Sequence, residues 1–186
     1  MSQNEVAVTL IAIIYGLMFT DLFSGFNRLL RSRKRVKWHW LPILTAWYIF
    51  IMLINNWWVI ANDTTKFNNF LSFFLYGHIF VLIYLLVSSV FPSVIPEEGI
   101  DLKVFYFNKH RYFWALMSGV FISSIFTKIF VGTMSSNAID LLNLLPTTVL
   151  VLMFISLSIW KNYRLHSIFV VLFFVEALAE VFLSAV

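Results

Sequence analysis

The run FVVLFFVEALAEVFLSAV, residues 169–186, carries two carboxylates, Glu176 and Glu180, among side chains that are almost all apolar. Residues four apart share one helix face, so the pair makes a single acidic strip. A charge inside a bilayer is costly unless it is paired, neutralised or solvated in a cavity, and such groups mark ion paths and proton relays. Counted at the helical rise from the basic end of each apolar run, Glu176 lies ~18 Å in and Glu180 ~24 Å, with His78 at ~20 Å and Lys128 at ~25 Å. Asn55 and Asn56 lie near the outer edge of that layer, and Asp21 lies apart at ~10 Å. The expectation is that the strip faces the bundle and meets Lys128, His78 or water. If Lys128 is close, one glutamate stays ionised as its partner and the other titrates.

Each of these residues also has a plainer role. Glu180 stands six residues from the end of the chain and can reach headgroups. Lys128 can snorkel outward from the end of its helix. His78 follows Tyr76 and Gly77 and fits a packing role, while Asp21, seven residues from Arg28, can pair with the basic loop and close the inner end of the bundle.

Other chemistries find little support. With no cysteine there is no thiol nucleophile, thiolate metal site or disulfide. Haem would need facing axial histidines, whereas His39, His110 and His166 fall at or outside the inner interface and His78 stands alone. There is no His-Glu-x-x-His motif, Gly-rich phosphate loop or Gly-x-Ser-x-Gly elbow. Glu176 and Glu180 with His78 fall short of a defined metal site. No cofactor and no enzymatic activity are expected.

The elements that position these groups follow from composition. A chain that is 61% hydrophobic and 12% charged lacks the polar surface to cover a soluble globule, which puts it in the membrane class. The start, MSQNEVAVTLIAIIYGLMF, has no basic residue before its apolar run and no cleavage pattern, so the first span is expected to be retained. Runs near the roughly 20 residues needed to cross a bilayer occur at about 6–27, 38–58, 68–91, 112–131, 141–160 and 165–186. The fold expected is therefore all-α, a single polytopic domain of six transmembrane helices. Eleven of the thirteen Lys and Arg residues fall in the loops 28–37, 92–111 and 161–164, and only Lys66 and Lys128 dissent. The positive-inside rule makes those loops cytoplasmic and puts both termini outside. It also explains the basic charge without nucleic acid. Trp38, Trp40, Trp57, Trp58 and FYFNKHRYFW (105–114) read as interfacial anchors.

A faint 3+3 inverted repeat runs through these spans. Gly16, Thr20, Phe23 and Ser24 recur 103 residues later as Gly119, Ser123, Phe126 and Thr127, and LPILTAWYIFIML (41–53) parallels LPTTVLVLMFISL (145–157). Inverted repeats of this kind are common in transporters, and stripes of small residues suit helix contact or a homo-oligomer.

The loop FPSVIPEEGIDLKVFYFNKHRYFW (91–114) turns at its prolines and Gly99, with 100–112 an interfacial segment before the fourth span. Its EGIDL, Tyr106-Phe107, Arg111 and Phe113, with RSRKRVKWHW and NNWW, resemble a set of small bacterial multi-span membrane proteins of uncharacterised function. The resemblance covers mainly 15–115. It implies a bacterial inner membrane and carries no site residues onto Glu176 or Glu180. Two functions fit the sequence. One is a small proton or cation transporter or channel, with Glu176 as acceptor, Glu180 and Lys128 tuning it and His78 in relay. The other is a non-transporting sensor, scaffold or accessory subunit in the bilayer, whose partner binds the 92–111 loop.

Overall fold

The computed structural model describes residues 3–62, 70–134 and 144–183. It holds six helices: α1 Gln3–Arg31, α2 Trp40–Asn62, α3 Phe70–Ser88, α4 Leu102–Met134, α5 Leu145–Ile159 and α6 Tyr163–Leu183. Five are long and apolar enough to cross a membrane, and α5, at 15 residues, is shorter. Residues 68–69 of the expected third span, 141–143 of the fifth and 184–186 of the sixth lie outside the described residues. Large apolar side chains such as Leu17, Phe74, Leu152 and Phe182 cover the outer surface. A soluble protein would bury such a coat, and a bilayer solvates it. The chain is thus a multi-helix membrane protein.

Local chemistry fixes where the helices begin. Asp101 caps α4, its Oδ1 accepting the amides of Lys103 at 2.8 Å and Val104 at 3.1 Å. Asn162 caps α6 in the same way through the amides of Arg164 and Leu165. Pro42 and Pro146, the prolines of the two Leu-Pro motifs, both sit in the first turn of their helices, where the missing N–H has no partner to lose.

α4 differs from the expectation at its start. Residues 102–111, assigned above to a loop, continue the helix without a break. The reason is amphipathicity. Leu102, Tyr106, Phe107, His110, Phe113 and Trp114 are buried, while Lys103, Lys109 and Arg111 point outward. Tyr106, Phe107, Phe113 and Trp114 are therefore core residues rather than interfacial anchors, and Trp114 is fully buried.

α4 packs on α3, α5 and α2, and α2 on α1 and α6. Where these meet, Trp114 stacks on Phe154 at 5.7 Å, and Phe154 meets Phe173 at 4.8 Å between ring centres. The two small-residue stripes behave differently. On α4, Thr127 is buried and donates to the Leu75 carbonyl oxygen at 3.5 Å, whereas Gly16 on α1 has no neighbour within 4 Å of a would-be Cβ.

At the basic end, the two connections are clipped together. β1 (Val36–Lys37) pairs in parallel with β2 (Ile100–Asp101), and Lys37 Nζ meets Asp101 Oδ2 at 2.9 Å. Gly99 makes the pairing possible. Its φ is +94°, and a Cβ there would collide with the Arg35 carbonyl oxygen. One turn back in α1, Gly25 lies against Phe91, whose Cβ would be 3.0 Å from a Cβ at the glycine, and Arg28 Nε donates to the Pro92 carbonyl at 3.3 Å. Asp21 is half-buried and makes no ion pair with the basic loop among the described residues.

Candidate functional site

A cavity of about 480 Å³ opens among α2, α3, α4, α5 and α6, in the half of the bundle away from the clipped connections. α6 contributes Glu176, Ala177 and Glu180 to its wall, so the acidic strip faces the cavity. Lys128 of α4 lines the same space, as do Asn55 and Asn56 of α2. Among the described residues of the wall, two carboxylates and one ammonium leave a single formal negative charge.

Each charged group meets the protein differently. Glu180 Oε2 accepts a hydrogen bond from Asn55 Nδ2 at 2.9 Å, a contact that joins α6 to α2. Glu176 has no hydrogen-bond donor among the described residues, and Lys128 has no carboxylate within ion-pair distance among them. Both border the cavity with no partner among the described residues. The wall between them is mixed. Ser124 and Thr147 bring hydroxyls, Tyr48, Tyr76, Phe80 and Phe121 bring rings, and the remainder is mainly aliphatic.

Tyr48 sharpens the picture. It is 4% exposed, its ring packs on Phe173 at 5.8 Å, and it lies near enough to Glu176 and Glu180 to interact with both charges. Its hydroxyl has no hydrogen-bond partner among the described residues, yet it is not sealed as the hydroxyl of Tyr15 is. It therefore borders the cavity. Tyr15 itself lies behind the wall, with its ring on Phe80 at 6.0 Å and Trp57 at 5.6 Å.

Of the residues singled out by sequence, Glu176, Glu180 and Lys128 share the cavity. His78 and Asp21 do not line it, and His78 has no hydrogen-bond partner among the described residues. The partner Glu180 does have, Asn55, lies 125 residues away in sequence.

A second polar cluster lies near the basic end and was not anticipated. His166 and Trp114 are fully buried there. Trp114 Nε1–H donates to Tyr106 Oη at 3.1 Å, and Tyr106 O–H donates to His166 Nδ1 at 2.9 Å. His166 Nε2–H then donates to the Trp160 carbonyl at 3.0 Å. The acceptor at one ring nitrogen and the donor at the other fix one tautomer. His110 lies beside it, 5.5 Å between ring centres, with Nδ1–H on the Phe107 carbonyl at 2.6 Å. Every polar atom of the Trp114–Tyr106–His166 chain is satisfied, so it serves to lock α4 to α6 and to the α5–α6 turn. Among the described residues no group of three or more His, Cys, Asp or Glu side chains comes close enough to hold a metal ion.

Comparisons with protein-family models, with curated proteins and with solved structures give no match to this chain.

Proposed function

We propose that the chain is a small transporter or channel for a monovalent cation or proton, with the cavity as its binding site and Glu176 as the acceptor. The observation that carries this reading is a carboxylate without a hydrogen-bond donor among the described residues, in the wall of a cavity, inside a bundle whose outer surface is apolar. A charge so placed needs a proton, a cation or water to offset its desolvation. Lys128 cancels one of the two carboxylate charges, and a single proton or monocation cancels the other. Asn55 holds Glu180 in place, which leaves Glu176 as the group free to exchange its partner.

In this reading the membrane is a bacterial inner membrane, with the basic connections on the cytoplasmic side and both termini outside. The cavity then belongs to the outer half of the bilayer. Its companion on the cytoplasmic side would be the hydrogen-bonded Trp114–Tyr106–His166 cluster, which serves as a closed floor.

The test is proton and cation flux into liposomes holding the purified protein or its Glu176→Gln variant, under an imposed potential. Flux in the native protein that disappears in an equally stable variant supports the assignment. Equal flux in both overturns the role of Glu176, and no flux in either favours the accessory-subunit function.

A further inference from the structure

The site is built for an organic monocation rather than a bare metal ion, and this step rests on the cation-binding reading above. We infer that the occupant is a singly charged organic ammonium with N–H bonds on an apolar or aromatic body.

Size is the first argument. A dehydrated metal ion is bound by oxygen atoms converging at about 2–2.6 Å, which needs a tight shell and not a chamber. The cavity here is about 480 Å³, inside the range of roughly 300–1,000 Å³ usual for small-molecule sites. The described residues supply two carboxylates and no third acidic or imidazole ligand near them.

The lining gives the second argument. Small-molecule sites are mostly apolar, with a few polar groups that fix orientation. This wall has that division: Phe80 and Phe121 offer rings, while Glu176, Glu180 and Tyr48 gather on the α2–α6 side. Aromatic faces attract an ammonium through their quadrupoles. Carboxylate oxygens and a phenol oxygen accept its N–H bonds. Tyr48 is the independent sign of a ligand: it is nine-tenths buried, lines the cavity, and has a hydroxyl that no described residue satisfies. The Tyr48 hydroxyl opens onto the cavity, and a hydroxyl so placed takes its partner from what the cavity holds, which an N–H of the occupant would supply.

Charge sets the valence. Among the described residues of the wall, Glu176, Glu180 and Lys128 sum to one negative charge, and the other titratable groups, Tyr48 and Tyr76, are neutral phenols. A dication would leave a buried positive charge uncompensated, whereas a monocation leaves none.

The experiment measures equilibrium binding of benzylammonium and of benzyltrimethylammonium to the purified full chain in micelles. Sodium and potassium flux in liposomes is followed alongside. Benzylammonium should bind saturably, and Glu176→Gln should weaken it at least tenfold. Tyr48→Phe, which keeps the ring, should weaken benzylammonium several-fold and leave the trimethyl compound, which has no N–H, unchanged. Thermal unfolding of each variant controls for folding. Glu176-dependent flux of protons, sodium or potassium without benzylammonium binding would overturn the organic ligand and leave the cation reading standing. Neither flux nor binding would overturn both.

Discussion

Replacing Tyr106 by Phe removes one oxygen atom and no packing volume, so its effect isolates the buried hydrogen-bonded chain. That oxygen accepts from Trp114 Nε1–H at 3.1 Å and donates to His166 Nδ1 at 2.9 Å. If each bond were worth the average found for side-chain bonds in membrane proteins, about 0.6 kcal/mol, the loss would be about 1.2 kcal/mol. The geometry argues for more. Trp114 and His166 are both 0% exposed, so the donor and the acceptor left behind have no water to turn to. An orphaned buried group costs about 1–3 kcal/mol, and two of them bring the expected loss to about 2–4 kcal/mol once some relaxation is allowed. The free energy of unfolding in mixed micelles, titrated with a denaturing detergent, measures the difference. A loss below about 1 kcal/mol would refute the claim that this cluster is a closed lock, since it would mean water or a second partner reaches the site.

The clip at the basic end should be just as sensitive. Gly99→Ala forces a side chain into φ +94° and against the Arg35 carbonyl, for an expected cost of about 2–4 kcal/mol from strain and the lost strand pair, together with faster tryptic cleavage at Arg33 and Lys34. Unchanged stability and cleavage would show that the pairing contributes nothing. Acid should loosen the same clip. The hydrogen bond from Lys37, then the Val104 amide, hold the Asp101 carboxyl below its ordinary value of 3.8, so the unfolded chain binds that proton more readily. Its contribution is complete above about pH 3.8 and is lost as pH falls through the lower folded value. Asp101→Asn, which still caps α4, should flatten stability in that range. His39 works at higher pH: burial first, then the charge of Lys103, lower its pKa against the opposing pull of Asp101, and its Nδ1 accepts the Leu41 amide at 3.3 Å. This support is present above about pH 6.5 and is lost as pH falls through the lower folded value, and His39→Gln should remove the dependence in unfolding measured across pH 7 to 5.

Much of this architecture is legible in one dimension. Runs of apolar residues give the helices because a bilayer demands length and hydropathy, and those are sums along the chain. The start of α4 is hidden from such sums for the same reason: Lys103, Lys109 and Arg111 depress the average, although Leu102, Tyr106, His110 and Phe113 recur at helical spacing and Asp101 stands ready as a cap. Trp114 reads as an interfacial anchor because a tryptophan near charged residues usually is one, and only its burial against Phe154 shows otherwise. The acidic strip was visible as a pattern, and the rotation of α6 that turns it to the cavity was not. Rotation depends on contacts such as Asn55 with Glu180 and Tyr106 with His166, which join residues 125 and 60 positions apart. Nothing local in the sequence announces either pair.

The two ends of the bundle solve the same problem in opposite ways, and the contrast bears on what a mutation at Glu176 can prove. At the basic end, the polar cluster is satisfied by the protein itself: Tyr106, Trp114, His166 and His110 all have partners, and the half-buried Asp101 has three, while the neighbouring Ser167 hydroxyl is left without one among the described residues. In the cavity, Glu176, Lys128 and the hydroxyl of Tyr48 have no partner among the described residues. Groups satisfied internally add to folded stability whatever the solution contains, whereas groups that wait for an occupant add to it only when the occupant is present. At a concentration one hundred times its Kd, a ligand there would stabilise the fold by about 2.7 kcal/mol. Glu176→Gln removes a charge inside the bundle that no described residue pairs, so in the empty protein it should be neutral or stabilising, as with other sites that trade stability for function. The native chain should gain stability from its cation and the variant should not. That opposite behaviour separates a binding residue from a structural one, because loss of a structural carboxylate would weaken the empty protein first.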